Sequence, residues 1–315
     1  MHYQSRKILK QILWTLKDFL YNLSYFAMRS PRDNDFALLR NLVLSLHGES
    51  REKYEKEIRF LESMGLECLP RMIFPYYKVR DSDGKLECNV GVENDCPFII
   101  HRKKVKLFFL CCFSINEMLS SYKGLFENEG LLGDGILEKS PHCYQDDEFK
   151  IEEGDVLLDV GCAEAIFALD NIEKISKAYL FECSREWIKP LKYTFKPYSE
   201  KVSIINKLVS SRNSKNEIRL ADALADVDKN KTFFIKMDIE GFEREVISAS
   251  EDFLKSHKVK LSCCVYHRQD DAVVIKDMLE KMGYKTRFSD GYMLPLMNGI
   301  HFPYFRHGII YAQNY

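Results

Sequence analysis

The sequence predicts an α/β fold built on a doubly wound, mostly parallel sheet. From about residue 151 onward, short apolar runs recur at 156–160, 178–181, 202–205, 233–237 and 261–266, as in strands buried on both faces. Helical stretches at 164–175, 186–195 and 242–256 fall between them, the alternation that right-handed crossovers produce. The chain before that point lacks this rhythm.

In chain order, residues 6–26 carry Ile8, Leu9, Ile12, Leu13, Leu16, Phe19, Leu20 and Leu23 on one helical stripe, with Arg6, Lys7, Lys10 and Lys17 between them. Such a helix suits docking on its own domain or on a second copy better than lying on a membrane. A helix is expected from Asp35 to His47, with Gly48 closing it, and another from Ser50 to about Gly65. Two short runs, 76–80 and 85–89, flank Asp81-Ser82-Asp83-Gly84 and read as a hairpin, extended by a strand at 98–100 or 105–110. Residues 1–135 thus read as an accessory lobe of helices and a small hairpin, and 136–315 as the domain that carries the motifs.

The 315 residues include 46% hydrophobic and 13% aromatic side chains, enough to fill a core. A net charge of -1 gives no bulk attraction to nucleic acid or to an anionic membrane. The opening apolar stretch is broken by Lys10, Lys17 and Asp18, which argues against a signal peptide or a membrane span. The ten cysteines form no Cys-x-x-Cys pair, and adjacent ones such as Cys111-Cys112 and Cys263-Cys264 suit packing better than bridging. A reduced, cytoplasmic protein is the expectation.

In a doubly wound sheet ligands bind beyond the carboxyl ends of the strands. Asp159, Glu182, Asp238 and His267 all fall there. After the first strand the chain reads Asp159-Val160-Gly161-Cys162-Ala163, a tight turn whose glycine lets backbone approach a nucleoside closely. About 20 residues on, Glu182 ends the second strand and can accept hydrogen bonds from both ribose hydroxyls. A dinucleotide cofactor prefers further glycines and room for a pyrophosphate. Here the later positions are Ala163 and Ala165 around the acidic Glu164, which repels phosphate and suits a positive sulfonium.

These residues resemble the FkbM-type methyltransferases, a branch of the class I fold. The resemblance rests on Tyr179-Leu180-Phe181-Glu182 and on Lys236-Met237-Asp238-Ile239-Glu240-Gly241-Phe242-Glu243, similar to a "KxDxEGxE" signature. It is joined by Val265-Tyr266-His267-Arg268 with Asp270, by Lys281-Met282-Gly283-Tyr284 and by Ser140-Pro141-His142. It covers residues 136–312, and Ala163 and Ala165 depart from it. It implies a seven-stranded class I sheet whose last two strands, 284–288 and 308–312, form an antiparallel hairpin. It also implies S-adenosyl-L-methionine as cofactor, held by Asp159, Gly161, Cys162, Ala163, Glu182, Cys183, Lys207, Leu208 and Asp238. The expected product is an O-methylated glycan or other small hydroxylated metabolite.

An alcohol acceptor must lose its proton near the methyl group, so a base is required. Asp238, Glu240 and His267 are the catalytic candidates, histidine titrating closest to neutral pH. Both carboxylates could instead cap the following helix, and His267 could be a core histidine. His142, Lys236 and Tyr266 are candidates for the acceptor side. The site is read as metal-free, since the spacing names no ion. The aromatic loop 292–305, with Tyr292, His301, Phe302, Tyr304 and Phe305, and the adjoining Arg306 read equally as a lid or as core packing. Two rivals are a non-catalytic binding module on the same fold and a nicotinamide-dependent oxidoreductase.

Overall fold

A computed structural model of the chain describes residues 33–63, 89–102, 104–129, 140–224, 227–228, 230–295 and 299–315. The helix expected over residues 6–26 lies outside these, as does the hairpin expected from Tyr76, its last residue Asn89 excepted. The chain divides into two compact units, and residues 33–63 and 299–304 belong to the first.

That unit holds α1 (Asp33–Leu44), α2 (Gly48–Lys53) and α3 (Glu55–Ser63). Leu39, Val43, Tyr54, Ile58 and Leu61 are buried among them, and the Arg40 guanidinium donates to the Leu61 carbonyl. Gly48 takes the left-handed conformation expected after a helix but opens α2 at once, and the helix expected from Ser50 is broken at Tyr54.

The second unit begins with a three-stranded antiparallel sheet, β1 (Val90–Glu93), β2 (Cys96–His101) and β3 (Val105–Phe108), followed by α4 (Ile115–Glu129). A disulfide joins Cys96 to Cys111. This departs from the expectation that the cysteines pack without bridging. Cys111 sits in a turn rather than on a strand, so its side chain is free of the strand's face alternation.

Next come β4 (Val156–Val160), α5 (Ile166–Asp170), β5 (Lys177–Phe181), α6 (Arg185–Thr194), β6 (Val202–Ile205), β7 (Leu208–Val209), β8 (Glu217–Ile218) and α7 (Leu220–Ala223). The chain continues through β9 (Thr232–Met237), α8 (Glu243–Ala249), α9 (Glu251–Ser256), β10 (Lys258–Cys264), α10 (Asp271–Lys281), β11 (Lys285–Phe288) and β12 (Ile309–Gln313). Seven of these strands make one sheet in the order β11-β12-β10-β9-β4-β5-β6. β12 runs antiparallel to both β10 and β11, while the remaining pairs are parallel. This is the class I sheet with the antiparallel end that the resemblance implied.

Several boundaries differ from the sequence reading, and three of the differences have a local cause. The helix expected over 164–175 shrinks to α5, because Ala163 and Ala165 are left-handed and helical geometry begins only at Ile166. The helix expected over 242–256 is interrupted at Ser250. β10 starts at Lys258, earlier than expected, because the polar Lys260 is buried within it. Its ammonium lies 3.2 Å from Glu152 and donates to the Lys150 carbonyl. A charge satisfied this way can sit in a strand that hydropathy alone would end.

The sheet places the site. β4 is its hinge: the chain moves outward through β5 and β6, then returns to β9 on the other side of β4. The crevice beyond the carboxyl ends of β4 and β9 is therefore the place where strand order reverses, where such sheets bind ligands.

Candidate functional site

At the end of β4, Gly161 has a φ of 78°, and a Cβ there would lie 1.9 Å from the Asp238 carbonyl oxygen. Only glycine lets the two strand ends come this close. The Asp238 N–H donates to the Val160 carbonyl, and the Gly161 and Cys162 N–H groups both donate to Phe181. The turn is thus bonded to the strands on either side of it.

Asp159 is fully buried, and its neighbour across the ladder is Lys236. The Lys236 ammonium stands 3.1 Å from an Asp159 oxygen and donates to the Gly161 carbonyl at 2.7 Å. Burial pushes the Asp159 carboxyl up, and Lys236 opposes that shift. For Lys236 the sequence leaves both a place on the acceptor side and pairing with a carboxylate open; here it pairs with Asp159 and fixes the turn.

Glu182 is buried at the end of β5. The Ala163 N–H donates to one of its oxygens at 3.0 Å and the Ser184 N–H to the other at 2.7 Å. Each carboxylate oxygen keeps a second lone pair for a ligand hydroxyl. Asn206, which the sequence reading did not single out, donates to the carbonyls of Glu182 and Cys183 and ties the end of β6 to this corner. Lys207 donates to the Ser214 carbonyl, and Leu208 joins the short β7–β8 pair. Cys162 is buried, its thiol pushed far up by burial. Glu164 is buried too, and burial pushes its carboxyl up to about 7.

On the other side of the crevice, Asp238 is the meeting point. The Tyr144 hydroxyl donates to one of its oxygens at 2.7 Å, and His142 Nε2 lies 3.7 Å from that oxygen. His267 Nε2 lies 3.4 Å from the other. Burial would raise the Asp238 carboxyl, but Lys236, His142, His267 and Tyr144 together hold it below its usual value. Burial drives His142 down to about 4, so it is neutral. His267 is buried, which disfavours its charge, yet Glu243, Asp238 and Glu240 outweigh this and raise it.

The structure therefore brings Asp238, His267 and His142 together. Glu240 is exposed, with an oxygen 4.0 Å from His267 Nε2, and it has a left-handed φ of 57°. Tyr266 is buried between the His142 and His267 rings, its hydroxyl pushed up by burial. Tyr144 and Glu243 were missed. Tyr144 lies outside every quoted motif, and Glu243 stood in one without a role.

Several features hold the Ser140-Pro141-His142 segment in place. The Ser140 hydroxyl accepts the His142 N–H, and Ser289 donates to the Pro141 carbonyl at 2.6 Å. A Cβ on Gly308 would lie 2.0 Å from that same carbonyl, so glycine at the entrance to β12 is what lets the segment pass. Arg306 donates to the Tyr266 carbonyl at 2.6 Å and to the Gln269 side chain, supporting the loop that bears His267.

Two groups among the described residues have ligand atoms close enough for a metal ion: His142 with Asp238 and Cys264, and Asp238 with Glu243 and His267. In the first, the Tyr144 hydroxyl already contacts all three, at 2.7 Å from Asp238, 3.2 Å from His142 and 3.8 Å from Cys264. In the second, Glu243 also accepts the Ile239 N–H.

Two surface cavities, of about 370 and 430 Å³, are lined by residues such as Lys285, Arg287 and Tyr311, and Lys255, His257 and Asn314. Neither takes in any of the residues above. The crevice at the strand ends is the better site, because the buried, mutually bonded ionisable groups converge there.

A seven-stranded sheet of this order, with acidic groups at the ends of β4, β5 and β9, has the class I methyltransferase architecture. Residues 186–286 match the model of the Methyltransferase FkbM domain, a segment that includes Asp238, Glu243 and His267. No curated protein matches the sequence. Among solved structures, the chain is similar to methyltransferase FkbM from Methylobacillus flagellatus, at 19% identity and a TM-score of 0.41, over 52% of this chain and 44% of that one. It is similar to precorrin-6y C5,15-methyltransferase from Geobacter metallireducens, at 15% identity and a TM-score of 0.36, over 53% of this chain and 83% of that one. A Streptococcus pneumoniae protein in complex with S-adenosyl-L-methionine is similar at 16% identity and a TM-score of 0.33, over 52% of this chain and 68% of that one. Among the described residues no helix is long and apolar enough to cross a membrane.

Proposed function

We propose that this chain is an S-adenosyl-L-methionine-dependent O-methyltransferase acting on a hydroxyl of a glycan or other small metabolite. The observation that carries the reading is the division of the crevice into two halves. Asp159, Gly161 and Glu182 form a cradle at the ends of β4 and β5, and Asp238, His267 and His142 gather beyond β9 and β10.

The cradle fits the cofactor by its chemistry. Asp159, Glu164, Glu182 and Asp238 surround the turn, with Lys236 already committed to Asp159. Acidic surroundings favour a sulfonium and an ammonium and disfavour a pyrophosphate. When bound, the cofactor supplies an electrophilic methyl group. Glu182 would hold its ribose hydroxyls, and Cys162 and Ala163 would present backbone to its methionine end. The corner of Cys183, Asn206, Lys207 and Leu208 would take the adenine.

His267 Nε2 receives the acceptor's proton, while Asp238 stands beside that nitrogen and stabilises the charge that develops on it. Tyr144 and Lys236 keep Asp238 ionised. His142, neutral and buried, and Tyr266 shape the wall on the acceptor side. Residues 136–315 carry the chemistry in this reading, and residues 1–135 set the choice of acceptor.

Calorimetry with S-adenosyl-L-methionine and S-adenosylhomocysteine tests the proposal. Binding of both is expected, weakened about tenfold or more in Glu182→Ala. Well-folded protein that binds neither, or that binds NAD(H) instead, would sink it.

A further inference from the structure

We propose that Glu243 is a positioning residue whose buried carboxylate keeps a proton on His267 Nδ1, leaving Nε2 as the nitrogen that faces Asp238 and the acceptor. The geometry is a line of three groups. Glu243, 1% exposed, lies 3.0 Å from Nδ1, and Asp238 lies 3.4 Å from Nε2 on the other side of the ring. The same Glu243 oxygen accepts the Ile239 N–H at 2.9 Å, which locks the carboxylate to the turn that carries Asp238. Five residues apart in sequence, Asp238 and Glu243 thus grip one imidazole from opposite edges.

The Glu243 oxygen that takes the Ile239 N–H lies 3.0 Å from Nδ1, and a proton on that nitrogen places a second positive dipole against this buried carboxylate. With Nδ1 protonated, a neutral imidazole has its lone pair on Nε2, as in catalytic dyads where an acid fixes the histidine tautomer. The charged groups facing the ring are Glu243, Asp238 and Glu240. Arg306 donates to the backbone carbonyls of Tyr266 and His267 and to the Gln269 side chain, and Tyr266 packs on the ring. Acid therefore predominates around His267, and its proton is held above the ordinary histidine range.

The catalytic use of Nε2 rests on the proposed methyl transfer, but the tautomer does not, so the two can fail separately. The test is a histidine-¹⁵N NMR titration of the full chain between about pH 5 and 9. The His267 signals are assigned by their loss in His267→Gln. The expected result is the Nδ1-protonated tautomer at high pH. In Glu243→Gln the midpoint should fall by about one pH unit or more. An Nε2-protonated ring in the wild type would overturn the proposal, as would an unmoved midpoint in Glu243→Gln. If Glu243→Gln does not fold, the wild-type tautomer alone decides. A wild type that binds no S-adenosylhomocysteine would remove the methyltransferase reading without altering these signals.

Discussion

Ala163 and Ala165, where a glycine is the commoner residue in a turn of this kind, have φ values of 46° and 57°. A left-handed alanine costs roughly 1–2 kcal/mol, and glycine gives back about 0.5–1 kcal/mol of that through its freer unfolded chain. Ala163→Gly is therefore expected to stabilise the protein by about 0.5–1 kcal/mol in urea denaturation. Ala165 differs because its methyl is buried, and deleting it loses about 0.8 kcal/mol, so Ala165→Gly should be close to neutral. Gly161→Ala should behave oppositely. Its new methyl would meet the Asp238 carbonyl in a left-handed residue, at a cost of about 3 kcal/mol or more, with cofactor binding lost. An Ala163→Gly protein less stable than wild type would contradict this account.

Among the elements, β4 and β9 are the pair that makes the site, and Lys236 joins them through Asp159 and Gly161. Breaking a buried ion pair from one side leaves an uncompensated charge, which typically costs 3–5 kcal/mol, about as much as a small protein can lose. Lys236→Met is expected to lose about 3 kcal/mol, and adding Asp159→Asn should recover part of it. Denaturation midpoints of the two single variants and the double variant check this. Strict additivity would mean that the lysine serves the substrate and not the turn. The sequence showed a lysine inside an apolar strand, which marked it as unusual, but the identity of its partner depends on the β4–β9 register.

For the molecule as a whole, the acidic crevice has a signature in stability against pH. Burial raises Glu164 from 4.5 to about 7, so the folded chain holds this proton more tightly than the unfolded chain does. Its stabilising contribution is complete below pH 4.5 and is lost as pH rises to about 7. That loss amounts to about 3 kcal/mol at most. Glu164→Gln should remove it, so the stability difference between variant and wild type grows in the variant's favour from about pH 5 to 8. A constant difference across that range would show that Glu164 ionises freely.

Sequence alone determined the strand rhythm, the places where strands end and the acids that stand there. Those follow from local rules: apolar runs mark buried strands, and glycine marks a turn pressed against another chain segment. Burial and pairing were decided only in three dimensions. Lys260 hides a strand's start from hydropathy, Cys96 finds Cys111 across a turn, and Glu243 meets His267 although 24 positions separate them. The reason is physical. A charge's role depends on which partners the fold brings within a few ångströms and on how much water it removes, and neither quantity is local in the chain.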